Sequence, residues 1–166
     1  MRRLTLFAPL AASLAVAGAV HAQPDTVPQV TVTVGGDLIE DTEKIGRRDV
    51  DLQVAELRET IERTLARRGA LAGARVNLVL TDLKPNRPTL QQASDRPGLS
   101  MIDSRSIGGA TIEGEIVTAD GRTLPVRYDR YSTSIAEVWG YNTWYDADRA
   151  FDRLAANLAE GRYVSR

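Results

Sequence analysis

Three groups of residues in this chain have the types and spacing that chemistry needs. The first is aromatic: Trp139, Tyr141, Trp144 and Tyr145 crowd into one short segment, which holds both tryptophans of the chain. Trp and Tyr combine a large apolar body with a polar handle and dominate binding hot spots, so the cluster is a candidate binding surface. The competing role is structural, with Trp144 stapling a following helix and Trp139 plugging a sheet edge. The second group lies between Lys84 and Ile107, where Arg87, Arg96 and Arg105 alternate with Asp95 and Asp103. A loop so equipped could close over a ligand, or could be a surface excursion pinned by Met101. The third is Glu113, Glu115, Arg127, Asp129 and Arg130. Paired carboxylates can do acid–base work on a glycan, but alternating charge is also what cross-strand pairs on a solvated sheet look like.

What is missing narrows the chemistry further. There is no Cys, which removes thiolate nucleophiles, disulfides and thiolate metal sites. The only His is His21, inside a segment expected to be removed. The mature chain then has no imidazole for a general base, a Ser-His-Asp triad or a zinc site. No cofactor, metal site or catalytic residue is assigned. The glycine pairs at 35–36 and 108–109 lack the Lys-Ser/Thr continuation of a phosphate loop and read as strand punctuation. Asp37, Glu40, Asp41 and Glu43 lack the spacing of an EF-hand and read as a solvated acidic loop.

The N-terminus is expected to be a signal peptide. Arg2 and Arg3 precede an uncharged apolar run, Leu4 to Val20, and Val20-His21-Ala22 puts small residues at −3 and −1. Cleavage is expected before Gln23, which removes residues 1–22 and implies a periplasmic or secreted protein without stable membrane insertion. Of 166 residues, 144 remain, enough for one domain with a core. Without Arg2 and Arg3, 19 basic residues face 22 acidic ones, a net charge of −3 that offers no general attraction to nucleic acid.

The clearest local structure runs from Gly108 to Tyr131. Two period-2 runs flank Ala119-Asp120-Gly121, which marks a β-hairpin. A two-residue turn would put Glu115 opposite Val126 on the apolar face. A three-residue loop pairs Ile112 with Tyr128, Gly114 with Val126 and Ile116 with Leu124, and sets Glu113 against Arg127 on the other face. A one-residue slip inverts every side chain, so the second register is expected, with Gly121 left-handed.

The remaining elements follow from periodicity. Residues 23–29 form a mobile lead, and Val30 to Val34 alternates as a strand whose edge could pair with a second copy. Asp37 to Arg48 reads as a loop that tucks Leu38, Ile39 or Ile45 inward. A helix is predicted from an Asp49 N-cap to Arg68, with Val50, Val54, Leu57, Ile61 and Leu65 as its apolar stripe and Gly69 past its end. Ala74 to Leu83 is a second strand with Val76, Leu78 and Leu80 inward, and with Val79 and Leu83 pointing to a partly covered outer face. The loop 84–107 is long for a compact domain, and Leu90, Leu99, Met101 and Ile107 are its expected anchors. After the hairpin, Thr143 and Asp146 suggest a capping box for a last helix carrying Ala147, Phe151, Leu154, Ala155 and Leu158. Residues 162–166 form a tail.

Amphipathic helices and one-faced strands in this order predict a single α+β domain over 30–161. It is a two-layer sandwich in which a four-stranded, mixed or antiparallel sheet carries two helices on one face. This order, over Val30 to Gly161, resembles that of small exported bacterial envelope proteins of unknown function. Many such proteins are lipid-anchored through a Cys that this chain lacks. The resemblance implies an envelope-associated, non-catalytic role. The leading expectation is therefore an exported domain that binds another envelope component, through Trp139, Tyr141, Trp144, Tyr145 and the loop arginines. Small-ligand or glycan binding by the same aromatics, and glycan cleavage by Glu113 and Glu115, are the rivals.

Overall fold

The structure, a computed structural model, describes residues 27–138 and 142–165. The expected signal segment, Trp139 and Tyr141 lie outside them. Five strands form one sheet: β1 (Gln29–Val34), β2 (Arg75–Lys84), β3 (Gly109–Val117), β4 (Thr123–Tyr131) and β5 (Val164–Ser165). They lie side by side in chain order, β1 parallel to β2, β2-β3-β4 antiparallel, and β5 parallel to β4. The four long strands make the predicted mixed sheet. The segment read as a tail instead adds a two-residue strand beside Arg127 and Tyr128.

The hairpin takes the three-residue register, with Ile112 opposite Tyr128, Glu113 opposite Arg127 and Ile116 opposite Leu124. Gly121 sits at φ +83°, a left-handed position that a side chain would strain. Ile112, Ile116, Val126 and Tyr128 are buried, while Glu113, Glu115, Arg127 and Asp129 are exposed. Burial of one face selects this register, since the alternative would bury carboxylates.

Helix α2 (Arg47–Arg68) crosses the dry face between β1 and β2, and Val50, Leu57, Ile61 and Leu65 are wholly buried along it. It begins two residues before Asp49, and Gly46 rather than Asp49 is its N-cap. The stretch read as a loop is largely a helix, α1 (Leu38–Ile45). Its buried stripe is Leu38, Thr42 and Ile45, at spacings of four and three, and Ile39 points to solvent. The polar Thr42 occupies the middle of that stripe by donating its hydroxyl to the Leu38 carbonyl at 2.7 Å, which hides the helical period from a search for apolar residues.

In β2, Val76, Leu78 and Leu80 face inward as expected, but Leu83 joins them at 2% exposure. The register with β3 shifts between Leu80 and Asp82, a bulge that returns the odd-numbered Leu83 to the core face. The final helix, α4 (Tyr145–Ala159), buries Ala147, Phe151, Leu154, Ala155 and Leu158 against α2, β3 and β4. No helix among the described residues is long and apolar enough to cross a membrane.

Candidate binding cleft

The segment 84–107 is ordered from inside by polar groups, not by its apolar side chains. Leu90, Leu99, Met101 and Ile107, the expected anchors, are 71, 37, 44 and 42% exposed. Asn86, Arg87 and Thr89 are instead buried, at 0, 1 and 2% exposure. Asn86 is the hub. Its amide nitrogen donates to the Asp146 carboxylate at 2.6 Å and to the Ser106 carbonyl at 3.2 Å, and its side-chain oxygen accepts the Asp146 backbone N–H at 2.8 Å. Its own backbone donates to Thr143 and accepts from Ser106. Gly108 lies so close that a Cβ there would stand 2.6 Å from the Asn86 side chain.

Asn86 thus caps α4 from a distant part of the chain, satisfying a backbone donor that a helix start leaves open. The capping box expected between Thr143 and Asp146 is absent: Trp144 is the N-cap and offers no side-chain bond. A capping box does form one loop earlier. Thr89 and Gln92 bond each other's backbone at the start of a short helix, α3 (Leu90–Asp95), and the Thr89 hydroxyl donates to the Ile45 carbonyl at 2.5 Å, tying α3 to α1.

Two adjoining cavities open around this structure. One, of about 330 Å³, lies between the end of α1, β2 and α3, and its charges balance, Asp41, Asp82 and Asp95 against Lys44, Lys84 and Arg96. The other, of about 300 Å³, is walled by Pro85, Pro88, Leu99 and Ile107, with Lys84, Arg96 and Arg105 at its lining and no acid. Lys84, Pro85, Gln92 and Arg96 belong to both. The chain's two lysines, Lys44 and Lys84, both face this region. Lys84 sits 3.3 Å from Asp82 and 5.1 Å above the Tyr131 ring. A hydrogen bond from Lys44 to Asp41, at 2.6 Å, holds its ammonium above the usual lysine value, against the opposing charge of nearby Arg96. Arg96 and Arg105 have no carboxylate within ion-pair distance among the described residues. Two arginines without a carboxylate partner among the described residues, beside exposed apolar walls, suit an anion carrying an apolar part.

The structure redistributes the sequence candidates. Arg96 and Arg105 come together on one cavity. Arg87 does not join them, because its guanidinium is buried and donates to the Ile102 carbonyl, holding the loop from beneath. Trp144 is 9% exposed and packs in the core, as its structural role required. Tyr145, at the start of α4, is partly buried with Arg149 5.5 Å from its ring centre. Of the four predicted aromatic residues the structure describes these two, Trp144 in the core and Tyr145 partly buried. A separate depression beside Trp144 is lined by Leu52, Gln53, Glu56, Asn142 and Asp148. Gln53 is buried there, and its side-chain oxygen has no hydrogen-bond partner among the described residues. Glu113 and Glu115 stand on the open sheet face, Glu113 directly across from Arg127, and line none of these cavities.

Lys84, Lys44 and Asn86 are the residues that sequence reasoning passed over. The scarcity of lysine was a signal for the first two; nothing local marks an asparagine whose partner is 60 positions away. No protein-family model matches the chain, and no curated protein matches it significantly.

Proposed function

We propose that this protein is an exported, non-catalytic binding domain that takes an anionic, partly apolar component of the cell envelope into the cleft beneath α3. One observation carries the reading: Lys84, Arg96 and Arg105 line a cavity with no acid, between Leu99, Ile107 and two prolines. Charge-assisted hydrogen bonds to a carboxylate or phosphate would fix the head of such a ligand, and the apolar walls would cover its stem. The test is titration with dodecanoate and with dodecyltrimethylammonium, followed by amide NMR shifts. Dodecanoate should move Arg96, Arg105 and Ile107, and the cationic analogue should not. Arg96→Ala and Arg105→Ala should each weaken binding about tenfold, the effect of losing one charge-assisted bond. Equal binding of both amphiphiles, or shifts centred elsewhere, would refute the reading.

A second reading, binding of a small neutral ligand or glycan beside Trp144, is favoured by the Gln53 oxygen in that depression, which has no partner among the described residues. A saturable change of tryptophan emission with cell-wall fragments, lost in Gln53→Leu, would support it.

A further inference from the structure

We infer that two copies of this chain associate through β1, forming one continuous sheet across a two-fold axis at Val32. β1 is the edge of the sheet, with β2 on one side and no strand on the other among the described residues. Gln29 and Gly35 donate their backbone N–H groups to Ala74 and Leu80 of the neighbouring segment. By the alternation of a strand, Thr31 and Thr33 also face β2, so Val30, Val32 and Val34 present their N–H and C=O groups to the open edge. Natural edges are usually blunted by charge, proline or a bulge. The segment Gln29–Val34 contains none of these, and its pairing with β2 is in regular register.

The groove beside this edge specifies a second copy of the chain rather than an unrelated strand. It measures about 370 Å³ and is lined by Val30, Thr31 and Val32 of β1 and by Asp51, Val54, Ala55 and Arg58 of α2. The α2 residues fall at i, i+3, i+4 and i+7, one stripe with an acid at one end, a base at the other and small apolar residues between. Such a stripe is complementary to itself in the antiparallel sense. Rotation about an axis through Val32, perpendicular to the sheet, sets Val30 opposite the second copy's Val34 and brings the two α2 helices side by side. Each Asp51 then meets the second copy's Arg58, with Val54 and Ala55 between the two ion pairs. Within one copy, among the described residues, Arg58 pairs only with Glu62, at 4.0 Å, and both side chains are about half exposed. An isologous contact of this kind closes as a dimer.

Sedimentation velocity of the purified chain over a concentration series tests this. A dimer should form, and Asp51→Arg or Arg58→Asp alone should each raise its dissociation constant about tenfold or more. The exchanged pair, Asp51→Arg with Arg58→Asp, should restore association. That recovery cannot come from repairing a pair inside one copy, because Arg58 contacts Glu62 there and not Asp51. Val32→Pro provides a second arm. It removes an outward N–H while leaving the β2 ladder intact, as prolines on edge strands do, and circular dichroism would verify its fold. It should abolish the dimer. A chain monomeric throughout the series would overturn the inference. So would a dimer that ignores Val32→Pro, or single reversals that the exchange does not rescue.

Discussion

At the scale of single residues, Asn86 and Asp148 show what burial does to polar groups. Asn86 is fully buried, and its side chain meets the Asp146 carboxylate, the Asp146 N–H and the Ser106 carbonyl. Truncation to Ala would strand those partners away from water. Asn86→Ala should lower stability by about 3 kcal/mol in urea titration, and should speed amide exchange across 84–107. Asp148 is a contrary case. Burial, above all, pushes its carboxyl up from the usual 3.8, with Glu56 and Asp152 adding to it, while the bond from Asn142 opposes the shift. A raised acid is destabilising when ionised. That penalty is present at neutral pH, shrinks as pH falls through the folded pKa, and vanishes below about 3.8, where the unfolded carboxyl is protonated too. Asp148→Asn keeps an acceptor for Asn142 and removes the charge. It should melt higher than wild type at pH 7, and the two melting temperatures should converge toward pH 3.5; a constant offset would refute the assignment.

At the scale of elements, periodicity succeeded where one face is apolar and failed where polar residues hold an element in place. The α2 stripe and the hairpin register are both set by burial, so each was legible from the spacing of Val, Ile and Leu. Ile61 is wholly buried at the centre of that stripe. Ile61→Ala should cost about 2–5 kcal/mol, read as a lowered denaturation midpoint, the larger values applying if the cavity does not relax. Helix α1 was not legible because Thr42 interrupts its stripe, and α3 because none of its residues is buried. The N-terminus of α4 was misassigned for a related reason: the capping partner lies in another part of the chain, and Thr143 supplies no cap.

At the scale of the molecule, the sheet order explains why the two proposed binding surfaces lie at separate places. Helices α2 and α4 cover the dry face, and α1 and α3 stand beside the end of β2, where loop 84–107 leaves the sheet. That arrangement opens the two adjoining cavities at one end of β2, the second of them lined by cations without an acid, and leaves the outer side of β1 without a strand among the described residues. Ligand capture in the cleft and pairing through β1 therefore use different residues, apart from the body that supports both. Disrupting the dimer by Val32→Pro should leave dodecanoate affinity within about threefold, since β1 pairs with Arg75 to Leu80 and none of these lines the cleft.

Sequence alone determined the class of fold, the hairpin register with Gly121 in its loop, and the faces of α2 and α4. These are short-range matters, decided by which side chains must leave water along a helix or a strand. Only the tertiary structure decided that Arg96 and Arg105 share a cavity with Lys84 while Arg87 serves as a buried prop, and that Trp144 belongs to the core. It also decided that Leu83 turns inward through a bulge, and that Asn86 caps a helix begun nearly sixty residues later. Such outcomes depend on contacts between segments far apart in the chain, which the spacing of residues along any one segment does not encode.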